Sequence, residues 1–135
     1  MTYLLDTNIC IYIIKKRVPS VLRRLKTKQP EEVAISTITQ ADLEYGIARS
    51  RNPDQNRIAL LQFLLPFQLL DFDQLAAVHY GPIRASLEAM GRQVGPMDML
   101  LAAQAKSRDL VLVTNNESEF RRVDGLNVEN WVVAT

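Results

Sequence analysis

Residues 3–8 read YLLDTN, a short apolar run that gives way at once to three polar residues. An uninterrupted apolar run of this kind is typical of a strand buried on both faces of a parallel sheet. Asp6 can cap a helix that runs through Ile9–Lys15. The stretch therefore predicts a strand, a polar edge and a helix in immediate succession.

The same succession recurs along the chain. Further short strands are predicted at 33–36, 67–70, 110–113 and within 126–133. Helices are predicted over 19–26, 39–50, 53–65, 73–90 and from the turn that contains Asp98 to about 107. Short apolar strands alternating with amphipathic helices predict an α/β fold, a parallel sheet with helices on both faces.

Two local details of these helices can also be predicted. Thr39 followed three residues later by Asp42 matches a capping box, so we expect a helix to begin there. Pro82 lies inside the long helix capped by Asp73, and we expect a kink or break near it. Gly91 suits the C-terminal end of that helix.

Composition limits the class of protein. The 135 residues predict one domain over 1–135 with a sizeable core. One His and one Cys exclude a Cys/His zinc site, and no apolar run is long enough to span a membrane. The single Cys10 cannot form an internal disulfide, and the chain start lacks a signal-peptide pattern, which favours the cytoplasm.

Acidic side chains lie near the predicted strand ends: Asp6, Asp42 and Glu119 come after strands, and Asp98 lies in the first turn of the helix that leads into the strand at 110–113. Asp6, Asp42, Asp98 and Glu119, with Asn116, would gather at the edge where parallel strands end. Taken singly, each could instead cap a helix or lie on the surface. Two carboxylates about 4 Å apart repel by roughly 4 kcal/mol at an effective dielectric of about 20, so a cluster needs a cation. Oxygen ligands favour Mg²⁺ or Mn²⁺, which suits phosphodiester hydrolysis.

Four motifs, taken in their order along the chain, resemble those of the PIN-domain ribonucleases, in particular the VapC toxins of bacterial toxin–antitoxin pairs. The resemblance covers essentially the whole chain. It is carried by 3–9 (YLLDTNI), 36–46 (STITQADLEYG), 95–103 (GPMDMLLAA) and 113–120 (VTNNESEF), with 125–126 and 130–131. It implies a PIN-like three-layer α/β/α sandwich around a short, mainly parallel sheet. It also implies a Mg²⁺-dependent endoribonuclease acting on tRNA or other structured RNA.

The resemblance also implies roles for the carboxylates. Asp6 and Asp98 would be the principal metal ligands, with Asp42 and Glu119 completing the catalytic set. We hypothesise that four polar residues orient these carboxylates. They are Thr7, Asn8, Thr114 and Asn116.

The sequence departs from the family pattern at two positions. The family usually has Glu where Asp42 stands. Glu44 is near, but two residues along a helix rotate it by about 200°, so both cannot face one ion, and we favour Asp42. Asn116 stands where many PIN domains have Asp, which favours one metal ion over two before RNA binds.

Basic residues are unevenly distributed. Residues 15–28 read KKRVPSVLRRLKTK, with seven basic residues and no acidic one. The run is either a solvated helix face or a surface for phosphates. Because an acidic site repels RNA, nearby cations must offset it. The candidates are Lys15, Lys16, Arg17, Arg84 and Arg92.

The resemblance implies two protein partners, a second copy of the chain and a small antitoxin whose C-terminal segment covers the active site. The first helix has too many apolar residues for one narrow face, so some either line a groove for a partner or belong to the core. These are Ile9, Ile11, Tyr12, Ile13 and Ile14. The departures at Asp42 and Asn116 leave a second class open, a PIN-like module that binds RNA or protein without cutting.

Overall fold

A computed structural model describes residues 1–133 as an alternation of strands and helices. The strands are β1 (Tyr3–Leu5), β2 (Val33–Ser36), β3 (Gln68–Leu70), β4 (Val111–Val113) and β5 (Asn127–Glu129). The helices are α1 (Thr7–Lys15), α2 (Pro19–Lys26), α3 (Thr37–Arg49), α4 (Pro53–Leu64), α5 (Gln74–Ala89), α6 (Pro96–Ser107) and α7 (Glu117–Phe120). A 3₁₀ turn, Pro30–Glu32, precedes β2.

The five strands form one parallel sheet in the order β3-β2-β1-β4-β5. Tyr3 lies opposite Val33 on one side and Val111 on the other, so β1 is the central strand. The chain builds outward through β2 and β3, then returns to the other side of β1 for β4 and β5. This reversal places a crevice at the carboxyl end of β1, where ligands bind in sheets of this type.

Alternate residues of β1 pack on opposite faces of the sheet. Tyr3 and Leu5 belong to a core shared with α1, α2, α3 and α4, and Trp131 completes that core. Leu4 belongs to a second core shared with α5, α6 and Phe120 of α7. The predicted sandwich with helices on both faces is therefore confirmed. In the described residues, no helix combines the length and the apolar character needed to cross a membrane.

Two predicted details of the helices are wrong. Helix α3 begins at Thr37, because Ser36 ends β2 and accepts a hydrogen bond from the Ile38 N–H at 3.0 Å. The strand therefore passes into the helix without a loop, and Thr39 is a buried residue inside the helix rather than its cap.

The second wrong detail is the break predicted near Pro82, whereas the alternative, a kink there, stays a prediction. Helix α5 runs unbroken from Gln74 to Ala89. Gly81 and Pro82 are both exposed, so the hydrogen bond that the proline cannot make is lost on the solvent side of the helix, where water can replace it.

Candidate active site

Asp6 is fixed at the carboxyl end of the central strand. Its side chain is 5% exposed and caps α1 by accepting a hydrogen bond from the Ile9 N–H at 2.9 Å. Burial raises the pKa of Asp6, while hydrogen bonds from the Thr114 side chain and from the N–H groups of Ile9 and Asn8 oppose that rise. The carboxylate is thus held in one place at a helix N-terminus, where negative charge is favoured.

Asp42 joins this end of the sheet from α3. The Thr7 hydroxyl, in the first turn of α1, donates a hydrogen bond to Asp42 Oδ2 at 3.0 Å. Glu44 instead forms an ion pair with Arg57 of α4, with Nη2–Oε1 at 2.6 Å and Nη1–Oε2 at 3.0 Å. The structure therefore brings Asp42 to the carboxylate cluster and turns Glu44 toward α4.

Asp98 lies in the first turn of α6 and is half-buried. Burial is the largest cause of a rise in the pKa of Asp98 to about 6, and the charges of Asp6, Glu119 and Asp42 raise it further. Asp6, Asp42 and Glu119 therefore lie within electrostatic range of Asp98. Asp6, Asp98 and Glu119 come from the starts of α1, α6 and α7, whereas Asp42 lies in the second turn of α3. Among the described residues, none of the four forms an ion pair with Lys or Arg.

The donor set fits a hard divalent cation. It consists of carboxylate oxygens, which Mg²⁺ and Mn²⁺ prefer, and its mutual repulsion favours binding of a positive charge. Within residues 1–133, however, no three His, Cys, Asp or Glu side chains are grouped so that they could hold a metal ion by themselves. Water and substrate phosphate oxygens would have to supply the rest of the coordination shell, as is usual for Mg²⁺.

The four predicted orienting residues fall into two pairs. Thr7 and Thr114 act through their side chains, on Asp42 and Asp6 respectively. Asn8 and Asn116 are exposed and contribute main-chain groups. The Asn116 N–H donates to the Thr114 hydroxyl at 3.0 Å, and the Asn116 carbonyl accepts from the Glu119 N–H at 3.1 Å, so Asn116 fixes the start of α7.

The predicted cations of α1 lie at its C-terminal end, whereas Asp6 caps its N-terminal end. Nine residues of helix span roughly 14 Å. Lys15, Lys16 and Arg17 are all exposed there. Lys15 nevertheless shares a groove with Asp42, so it is the member of this group that the structure brings near a carboxylate.

Arg84 and Arg92 line a common cavity of about 480 Å³ beside the start of α6. The Arg84 side chain is also paired with Glu88 at 3.5 Å and donates to the Tyr80 hydroxyl at 3.2 Å. Pro96 and Met99, which lie before and after Asp98 in the first turns of α6, also line this cavity.

An apolar groove of about 300 Å³ runs between α1, α3 and α4. We call it the α1–α3–α4 groove. Ile11 and Ile14 line it, whereas Ile9 is fully buried and Tyr12 and Ile13 pack against the core. Part of the apolar excess of α1 therefore belongs to the core, and part lines an open groove. Other groove residues are Leu43, Gly46, Ile47, Ser50, Asn56, Ala59 and Leu60.

The sequence did not point to Gln104 or Ser36. Both are fully buried, and they are hydrogen-bonded to each other beneath the site. The available signal was a single amide in the otherwise apolar stretch LLAAQA, residues 100–105.

A parallel α/β sheet with acidic side chains at its carboxyl edge is suited to the metal-assisted hydrolysis of phosphodiesters. Comparison with known proteins narrows the class, since the PIN domain family matches residues 3–126. The tRNA(fMet)-specific endonuclease VapC of Shigella flexneri is 44% identical over 131 residues, which cover 97% of this chain and 98% of that protein. Ribonuclease VapC2 of Haemophilus influenzae is 41% identical over 132 residues, covering 98% and 99%.

A solved structure agrees with these relatives. VapBC2 from Rickettsia felis, bound to a DNA fragment from its promoter, superimposes with a TM-score of 0.91 at 39% identity, covering 97% of this chain and 99% of that one. The chain belongs to the PIN-domain family and, within it, to the VapC ribonucleases. The predicted family, fold and enzyme class are thereby confirmed.

Proposed function

We propose that the chain is a toxin that cuts tRNA with a divalent cation held by Asp6 and Asp98, and that a small antitoxin neutralises it. The observation that supports this best is the meeting of four carboxylates at the crevice beside β1, none of them paired with Lys or Arg in residues 1–133. Initiator tRNA is the first candidate substrate, because the Shigella flexneri and Salmonella typhimurium relatives are named tRNA(fMet)-specific. Since tRNA is a cytoplasmic molecule, we place the enzyme in the cytoplasm.

Each carboxylate has a distinct part in this proposal. Asp6 and Asp98 would hold the ion, which when bound polarises a phosphoryl oxygen and lowers the pKa of a bound water. Asp42, held by Thr7, and Glu119, held at the start of α7, would orient that water and the substrate. We propose Mg²⁺ as the ion, with Mn²⁺ as a substitute, since both prefer oxygen ligands.

The antitoxin is proposed to occupy the α1–α3–α4 groove. Most residues that line this groove are apolar, and Asp42 and Lys15 also line it, so a segment seated there would contact one of the four carboxylates. Solved relatives in Rickettsia felis and Salmonella typhimurium are VapBC complexes, which supports a protein partner.

A homodimer is also proposed. Helix α4 exposes Ile58 and Leu61, and Leu65, which directly follows the helix, is exposed at a spacing that continues the same face. An exposed apolar stripe of this kind favours a protein contact. Sedimentation equilibrium of the purified chain tests this, because a species of 15.3 kDa at micromolar concentration would contradict it.

The central experiment incubates antitoxin-free protein with end-labelled total tRNA in Mg²⁺, in Mn²⁺ and in EDTA. Purified initiator tRNA and elongator methionine tRNA run in parallel as a matched pair. Discrete cuts that require the cation and favour the initiator would support the proposal. Cleavage that persists in EDTA would contradict the metal mechanism. A folded protein that binds Mn²⁺ but cuts no RNA would instead favour the non-cutting module.

Replacing Thr7 with Val is expected to lower the cleavage rate by about tenfold to a hundredfold, the usual cost of removing a group that orients a metal-site ligand. Valine keeps the shape of threonine but cannot donate the 3.0 Å hydrogen bond to Asp42. Initial rates at saturating Mg²⁺ measure the effect. Thr7→Ser, which keeps the hydroxyl, is the control, and equal rates for the two variants would remove Thr7 from the site.

Replacing Lys15 and Lys16 together with Ala is expected to weaken RNA binding and to flatten its dependence on salt. The slope of log K against log salt should fall by roughly 0.7 to 0.9 for each phosphate that the protein no longer neutralises. Fluorescence anisotropy with labelled tRNA from low to moderate salt measures it. Arg23→Ala with Lys26→Ala, exposed cations of α2, is the matched control. An unchanged slope in the α1 variant would take these lysines out of the RNA path.

A further inference from the structure

Gln104 is a fully buried amide in α6, six residues after Asp98. Its Oε1 accepts a hydrogen bond from the Ser36 hydroxyl. Its Nε2 donates to the main-chain carbonyls of Leu70 at 3.2 Å and Asp71 at 3.1 Å. Both N–H groups and the carbonyl of the amide are thus engaged, and the partners are separated from it by 33 or more residues of sequence.

Ser36 extends this connection to the helix that carries Asp42. It is the last residue of β2, and its hydroxyl oxygen also accepts the Ile38 N–H that caps α3. A continuous path therefore runs from Asp98 through α6 to Gln104, then through Ser36 to α3 and Asp42. The two bonds to Leu70 and Asp71 fasten the end of the edge strand β3 to the same point.

An amide at this position is costly unless it has partners. The neighbouring residues of α6, Leu101, Ala102, Ala103 and Ala105, are all buried and apolar. A buried amide without partners costs free energy, whereas an apolar side chain of the same size would fill the space without any demand for hydrogen bonds. The amide is favoured here because it bonds the ends of β2 and β3, which an apolar residue cannot do.

We propose that Gln104 is a positioning residue of the active site. It fixes the carboxyl ends of β2 and β3 against α6, and it thereby sets the separation between Asp42 and Asp98. This inference rests on the proposed function, since it takes these two carboxylates as parts of one metal-dependent site. Gln104 would act through the positions of these two carboxylates, and because it is fully buried it would not contact RNA.

The test replaces Gln104 with Met, which has a similar length but offers neither the amide donors nor the carbonyl. We expect a fall in kcat of about tenfold to a hundredfold, with little change in KM for tRNA. We also expect weaker binding of Mn²⁺ to the RNA-free protein, by a factor of about ten or more, measured by electron paramagnetic resonance. All measurements are made well below the melting temperature of each variant.

Two further variants separate positioning from stability. Leu101→Ala removes buried apolar surface from the same helix and leaves the amide bonds intact, so it should lower the melting temperature but keep wild-type Mn²⁺ affinity and kcat. Ser36→Ala leaves the two bonds to the strand carbonyls and should change Mn²⁺ affinity in the same direction as Gln104→Met, by less. If Gln104→Met does not fold, the test compares the Mn²⁺ affinity of Ser36→Ala with that of Leu101→Ala, and a loss in Ser36→Ala alone would support the positioning role.

Wild-type Mn²⁺ affinity and kcat in a folded Gln104→Met protein would overturn the proposal. Equal losses of Mn²⁺ affinity in Leu101→Ala and in Gln104→Met, or in Ser36→Ala where it replaces Gln104→Met, would also overturn it. The Mn²⁺ measurement does not need RNA. Failure of the wild-type protein to cut any RNA would therefore contradict the proposed function. The role of Gln104 could still be tested by comparing the Mn²⁺ affinities of the variants.

Discussion

Replacing Asp98 with Asn is expected to lower the rate of RNA cleavage by on the order of 10²–10³-fold, the range seen when one preorganised electrostatic contact to the transition state is removed. Asparagine keeps the size of the side chain but removes one of the two proposed anionic ligands of the metal. Asp6→Asn should cause a similar loss. Its effect is simple to interpret, because asparagine caps helices as well as aspartate does and the start of α1 should persist.

Single-turnover cleavage with enzyme in excess over labelled tRNA measures this loss. Asp54→Asn, which neutralises an exposed carboxylate in the first turn of α4, is the matched control and should cut like the wild type. Cleavage by Asp6→Asn or Asp98→Asn at more than about a tenth of the wild-type rate would contradict the assignment. Replacing even a residue that only orients a metal ligand usually lowers activity by about tenfold or more.

The same Asp98→Asn substitution is expected to raise the melting temperature of the metal-free protein by several degrees at pH 7.5. The pKa of Asp98 is about 6 in the folded protein, against 3.8 for the free side chain, so the fold disfavours the ionised form. The stability that Asp98 contributes is fully present below pH 3.8 and is lost as the pH rises through 6. Asparagine never ionises, so the advantage of the variant should shrink as the pH falls and vanish near pH 4.

Thermal unfolding in EDTA between pH 4 and pH 8 measures this difference. Asp54→Asn, which removes an exposed carboxylate outside the cluster, should not raise the melting temperature at pH 7.5. With added Mn²⁺ at pH 7.5, the wild type should have the higher melting temperature, since the ion would stabilise it through a site that is weakened in Asp98→Asn. A variant that is less stable than the wild type at pH 7.5 in EDTA, or an advantage independent of pH, would contradict the electrostatic account.

The main features of the site could be predicted because they are local in sequence. A short apolar run followed by an acid marks both the end of a strand and the place where a helix begins, so the position of Asp6 at the sheet edge follows from the pattern itself. Asp98 was placed at the same edge because it lies in the first turn of the helix that leads into β4. Helix rotation predicted that Asp42 and Glu44 cannot both face one ion, and the family resemblance favoured Asp42. The structure places Asp42 beside Thr7.

Other features depended on contacts that no local pattern reveals. Ser36 had the same capping potential as Thr39, and only the register of β2 decides which of them caps α3. The partners of Gln104 are main-chain carbonyls more than thirty residues away, so its role could not be read from its neighbours. Lys16 and Arg17 follow Asp6 closely in sequence, but α1 carries them to its opposite end.

The order of the strands has a consequence for how the protein is made. The central strand β1 is synthesised first, but its second neighbour, β4, begins only at Val111. Asp98 and Glu119 likewise emerge from the ribosome long after Asp6 and Asp42. A nascent chain that stops before the fourth strand lacks one flank of its central strand and Glu119 from the acidic cluster. The ribosome that translates this message therefore holds an incomplete enzyme until the residues of β4 and α7 have been added.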